Sequence, residues 1–169
     1  MEQAKQLIRE RADRIRKASL KAAEEHYAAE TPWYSLKSWL GIPLALLSAV
    51  AGAAAFSQLN HSAVVAGSLS VTVAALTALT SVLSPEKRAE ENHRFAKEYE
   101  KLYNRAAMFH DIESVIGNLD QKTLEQKLST LLATFEHLNA TRPGISGRAY
   151  RTAAANLAKG HGEVIRITE

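Results

Sequence analysis

Between Trp39 and Ser84 the chain carries no Lys, Arg, Asp or Glu, although 21 basic and 18 acidic residues crowd the rest of its 169 positions. That run is about twice the ~20 residues that one membrane-spanning helix requires. It predicts two spans, Trp39 to Leu59 and about Ser62 to Leu83, separated by the polar break Asn60-His61. At ~1.5 Å per residue the first would be about 31 Å long, matching a hydrocarbon core of about 30 Å. So short a connection makes the two helices antiparallel neighbours. The expected fold class is an all-α membrane protein, a two-transmembrane helical hairpin with amphipathic cytoplasmic helices at both ends. Its regions are 1–32, 33–84 and 85–169. A soluble bundle that buries the hairpin is the alternative, but a chain of this length has little material to cover two such helices.

The flanks set an orientation. Arg9, Arg11, Arg14, Arg16, Lys17, Lys21 and Lys37 precede the first span, Lys87, Arg88, Arg94 and Lys97 follow the second, and the turn has neither Lys nor Arg. Positive residues stay on the cytoplasmic side, so both termini are expected in the cytoplasm. Trp33, Tyr34 and Trp39 suit the headgroup level, though ordinary core aromatics would look the same.

From Gln3 to about Ala29, the residues Leu7, Ile8, Ala12, Ile15, Ala18, Leu20 and Ala22 recur at mostly helical spacing among charges. Thr31-Pro32 is expected to end this helix, because the residue before proline is pushed away from helical dihedrals. Pro43 falls in the first turn of the first span, where its missing amide does little harm. Ser84-Pro85-Glu86 reads as a helix start with serine as N-cap. Phe95, Tyr99, Leu102, Ala106, Phe109 and Glu113, widened by Tyr103, Ile112 and Ile116, form the stripe of a long helix that Gly117-Asn118 stops. Leu124, Leu128, Leu131, Leu132, Phe135 and Leu138 define another. Asn139 to Gly147 reads as a loop and Arg148 to Lys159 as a short helix.

Several chemistries are excluded or weak. Without cysteine there is no disulfide, thiolate nucleophile or Cys-based zinc site, and the net charge of +3 names no nucleic-acid partner. No phosphate-cradling glycine loop, no His-Glu-x-x-His and no cleavable leader are recognisable. His110, Asp111 and Glu113 make a fragment of a metal site or a solvated group. His61 is a titratable mouth residue or a plain turn residue, and Asn60-His61-Ser62 matches a sequon close to the membrane face. No enzyme, cofactor or metal is expected.

Three groups carry the functional reading. Small residues, Gly41, Ser48, Gly52 and Ala55 in the first span and Ala63, Gly67, Ala74 and Ala78 in the second, let backbones approach closely. Ser48, Gly52, Gly67 and Ala74 are the expected helix-packing positions. Ser70, Thr77, Ser81 and Ser84 form a hydroxyl stripe, expected on the other helix face. They are either tolerated residues bonded to their own backbone or a pore wall, which only an oligomer can close. Arg142, Arg148, Tyr150 and Arg151, with Lys159 and His161 beyond, offer forks for phosphate and a ring for a base, or are simply a solvated face.

The layout resembles the SLATT family of two-transmembrane effectors, associated with SMODS-type nucleotidyltransferases and SLOG sensors in bacterial conflict systems. The resemblance rests on Trp39-Leu40-Gly41-Ile42-Pro43 opening the first span and on the small-residue hairpin. It also rests on Leu83-Ser84-Pro85-Glu86-Lys87-Arg88-Ala89-Glu90 leaving the second, on Tyr99 and Leu102, and on Pro143-Gly144-Ile145-Ser146 before Tyr150. It implies an anti-phage effector that permeabilises the inner membrane and arrests growth, gated by a nucleotide or short oligonucleotide from a partner nucleotidyltransferase. No catalytic residue carries over. The alternative is a non-conducting anchor or scaffold that recruits a cytoplasmic partner.

Overall fold

The computed structural model describes residues 2–56, 62–113 and 120–160. Asn60, His61, Ile116, Gly117, Asn118 and His161, and the side chains of Ser62, Ile112 and Glu113, lie outside the described residues. The described chain is all α: α1 (Glu2–Phe56), α2 (Ser62–Leu83), α3 (Pro85–Met108), a π-helical turn (Phe109–Glu113), α4 (Gln121–Thr141) and α5 (Gly147–Ala158).

The helix expected to stop at Thr31-Pro32 does not stop. Both Pro32 and Pro43 lie inside α1. Proline removes one hydrogen bond and biases its predecessor, a local penalty. Against it stands a continuous buried stripe. Ile8, Ala12, Ile15, Ser19, Ala22, His26 and Ala29 recur at fours and threes, and half-buried Trp33, Leu36 and Leu40 continue the pattern past Pro32. Pro32 and Pro43 both sit at exposed positions off that stripe.

The residues fall into two compact units, 1–30 with 91–169, and 31–90. In the first, the N-terminal half of α1 packs with the later helices around one core. Ile8, Ala12, Ile15, Ala22 and Ala23 meet Phe95, Tyr99, Leu102, Ala106 and Phe109, and Leu124, Leu128, Leu131 and Leu138 close the third side. Most of these were legible from spacing, whereas Leu7 and Leu132 are exposed and Phe135 only packs against the core's edge. The loop before α5 is shorter than expected, because α4 runs on to Thr141 and takes Asn139 into the helix. Ser146 caps α5, its hydroxyl accepting from the Ala149 amide at 3.3 Å.

The second unit holds the apolar pair. Two helices of this structure are long and apolar enough to cross a membrane, and almost none of their apolar windows is buried in the chain. Each buries one stripe only. Ala51 is covered, with half-buried Leu40, Leu44, Leu47 and Ala54 around it; Ala66 is covered, with half-buried Leu69, Val73, Leu76, Thr80 and Leu83. These two stripes are the hairpin contact.

Ser84 joins α2 to α3 with a φ of 42°, the left-handed region that a residue with a Cβ adopts at a cost. It is not the side-chain N-cap expected. Its hydroxyl donates to the Ser81 carbonyl at 2.7 Å, and its amide to the Thr80 carbonyl at 2.9 Å. The residue therefore closes the C-terminus of α2, while Pro85, which has no amide to satisfy, starts α3.

Candidate functional site

The two faces of the hairpin differ. Around each helix, at about 100° per residue, Gly41, Ser48, Gly52 and Ala55 lie about 90° from the buried stripe of α1. On α2, Ser70, Thr77 and Ser81 lie about 90° from its buried stripe and Ala63, Gly67, Ala74 and Ala78 about 140°. The hydroxyls and small residues of α2 thus occupy one continuous sector. The expectation that they stand on different faces is corrected by helix geometry.

Both displacements run in the same rotational sense along the chain. In antiparallel right-handed helices that sense reverses when both are viewed from one end, and so does the direction to the partner. The small and hydroxylated sectors of α1 and α2 therefore face the same side of the hairpin. Trp39, Ile42, Leu46 and Val50 of α1, with Val64, Val71 and Val82 of α2, occupy the remaining surface, and all are exposed, Trp39 by 78%, Val71 by 72% and Val82 by 80%. One side carries most of the bulky apolar side chains, with exposed Ser68 and Thr72 of α2 among them; the other carries the small residues and the row Ser70, Thr77 and Ser81.

Ser48, Gly52, Gly67 and Ala74 are exposed and take no part in the contact between α1 and α2, which uses Ala51 and Ala66 instead. A Cβ built on Gly41, Gly52 or Gly67 meets nothing within 4 Å among the described residues. The hydroxyls bond their own helix: Ser70 to the Ala66 carbonyl and Thr77 to that of Val73, both at 2.8 Å, Ser81 to that of Thr77 at 2.9 Å, and Ser84 as above. With the proton directed at the backbone, each oxygen keeps its remaining lone pair for the surroundings.

At one end of this unit, charged and aromatic groups cluster. Lys37 Nζ meets Glu86 Oε1 at 2.7 Å, and the Arg88 guanidinium lies 5.0 Å from the centre of the Trp33 ring. Trp33 and Lys37 of α1 thus stand level with the start of α3.

The arginine group does not converge. Arg142, beyond α4, is half-buried, with Nη1 3.8 Å from Glu25 Oε2. On α5, Ala149 and Ala153 face the core, and Arg148 and Arg151 point about 150° away from them into solvent. Tyr150 stands on a separate flank, where with Arg142 it influences Tyr99 electrostatically. The segment thus divides into an exposed arginine pair and an inward Arg142.

What sequence reasoning missed is a buried polar cluster beside Arg142. His26 and Glu25 of α1 and Asn92 of α3 are all buried. His26 Nδ1 donates to Asn92 Oδ1 at 3.1 Å, and its ring stacks on both Phe95 and Tyr99, each centroid 5.6 Å away. Tyr99 Oη donates to Asn139 Oδ1 at 3.0 Å. Burial pushes the Glu25 carboxyl above its ordinary range, against the pull of Lys21 and Arg142, and burial holds His26 below its own. The available signal was positional, since His26 falls four residues after Ala22 on the stripe. No group of acidic, histidine or cysteine residues suited to a metal occurs among the described residues.

No family model, curated protein or solved structure matches this chain.

Proposed function

We propose that the protein is an inner-membrane effector of bacterial anti-phage defence, whose hairpins assemble into a pore gated by a nucleotide or short oligonucleotide from a partner nucleotidyltransferase. The observation that carries the pore is the uneven division of the hairpin: most bulky side chains stand on one side, and the small residues with the row Ser70, Thr77 and Ser81 stand on the other. Bulky side chains suit lipid, where no hydrophobic effect separates helix from tail; small ones suit close helix contact. A ring of hairpins with the bulky side outward places Gly52 and Gly67 at contacts between copies and Ser70, Thr77 and Ser81 toward the axis. Two helices cannot enclose water, so conduction requires such a ring. The basic flanks support a cytoplasmic location for both termini, and the aromatic and charged cluster at Trp33, Lys37 and Arg88 suits the headgroup level. The resemblance to SLATT effectors supplies the biological setting, and exposed Arg148 and Arg151 supply guanidinium forks for an anionic signal.

A second reading is a non-conducting anchor, favoured by one observation: every hydroxyl of the stripe is bonded to its own backbone. One experiment separates the two. With the triple variant Ser70→Leu, Thr77→Leu, Ser81→Leu in liposomes, the pore reading expects ion flux to fall to background while insertion is retained. Wild-type protein that inserts and oligomerises without conducting would overturn it in favour of the anchor.

A further inference from the structure

We propose that His26 is a proton-sensitive latch between α1 and α3: as the neutral imidazole it holds the two helices together, and on protonation it releases them. The ring is fully buried and stacks on both Phe95 and Tyr99 of α3, so it cannot turn toward water without separating the helices that carry it and its neighbours. The Asn92 amide oxygen accepts from Nδ1, which fixes the proton there and leaves Nε2 as a bare lone pair. Nε2 has no hydrogen-bond partner among the described residues. A proton added at Nε2 becomes a donor without an acceptor on a charged ring in a dry core.

The groups facing it do not compensate. From α3 come Asn92, Phe95 and Tyr99, the last un-ionised and already donating to Asn139. From beyond α4 comes Arg142, whose positive charge opposes protonation, and α5 contributes Tyr150 beside Tyr99. On α1 itself, Glu25 is engaged by Lys21 and Arg142. His93, one turn before Ala96 on α3, is the contrasting case, half exposed and 3.0 Å from the Glu30 carboxylate. The position matters because α1 contains the first apolar segment and α3 begins one residue after the second.

The sign follows from linkage. Burial holds the folded-state pKa of His26 below its ordinary 6.5, so the opened state binds more protons, and the closed state is fully favoured only above pH 6.5 and loses ground as pH falls below it. One proton changes the open-to-closed ratio by at most tenfold per pH unit, which gives a rise of about tenfold between pH 7.5 and 5.5. Proton uptake on Glu25 acts in the opposite direction, so the effect of His26 is the difference between wild type and a variant that cannot titrate there.

The test is hydrogen exchange of the full chain in lipid nanodiscs at pH 7.5 and 5.5, corrected for intrinsic exchange rates and read at amides 19–30 and 92–102. Opening of the wild type should increase about tenfold more than that of His26→Phe, which keeps a ring against Phe95 and Tyr99. Should phenylalanine not be accommodated, His26→Gln gives the same comparison with a donor toward Asn92. His93→Gln should keep the wild-type response. The same pH response in wild type and in the folded His26 variant overturns the latch, as does its loss in His93→Gln alone.

Discussion

Replacing Arg142 with alanine separates its structural role from its expected ligand role. The side chain of Glu25 is only 6% exposed and has two cationic neighbours, Lys21 at 3.9 Å and Arg142 at 3.8 Å. Removing one partner of a fully buried ion pair costs about 3–5 kcal/mol, because the remaining charge is stranded. Here Arg142 is 31% exposed and the contact is long, so solvent screening reduces the expected loss to about 1–2 kcal/mol. The loss should depend on pH. Burial raises the Glu25 carboxyl above its ordinary 4.5, so its contribution to stability is full below pH 4.5 and declines as pH rises through the folded-state value. Without Arg142 that value rises further, and the deficit of the variant widens toward pH 7. Denaturation of the full chain in detergent micelles, followed by circular dichroism at pH 4.5, 5.5 and 7, reads it. Adding Glu25→Gln should recover most of the loss at pH 7, since the two residues act as one unit. A deficit that is the same at every pH, or no recovery in the double variant, refutes this account of Arg142.

Gly52→Leu and Gly67→Leu should each weaken self-association several-fold in detergent without unfolding the hairpin, since a Cβ at either site meets nothing within 4 Å among the described residues; unchanged oligomers for both would exclude this side as the contact. Arg148→Ala combined with Arg151→Ala should weaken binding of an anionic nucleotide more at low salt than at high salt, because salt already competes with charge-assisted contacts, and calorimetry at two ionic strengths measures it. Ser84→Gly relieves the left-handed backbone at φ 42° but loses the hydroxyl bond to Ser81, so its melting temperature should stay within a few degrees of wild type. Ser84→Ala keeps the strain and loses the bond, and should melt lower than the glycine variant.

The sequence by itself determined the elements and their apolar faces. A charge-free stretch from Trp39 to Ser84 fixes two long apolar helices because no other element of that length hides its backbone polar groups internally. The stripes through Tyr99 and Leu128 fix which faces turn inward because helical periodicity is local. Only the tertiary structure decided where local preferences lose. Pro32 biases against helix, yet the stripe from Ile8 to Leu40 runs through it, because packing along a whole helix outweighs one missing hydrogen bond. Ser84 has the composition of an N-cap, but its hydroxyl follows the nearest orphan carbonyl, which belongs to α2. The two-sided hairpin needed the partner stripes of Ala51 and Ala66 before Gly52 and Ser70 could be placed relative to one another. His26 was hidden for the same reason. Its spacing marks it as inward, but the rings of Phe95 and Tyr99 that it stacks on arrive from about 70 residues away, and no local rule pairs residues at that separation.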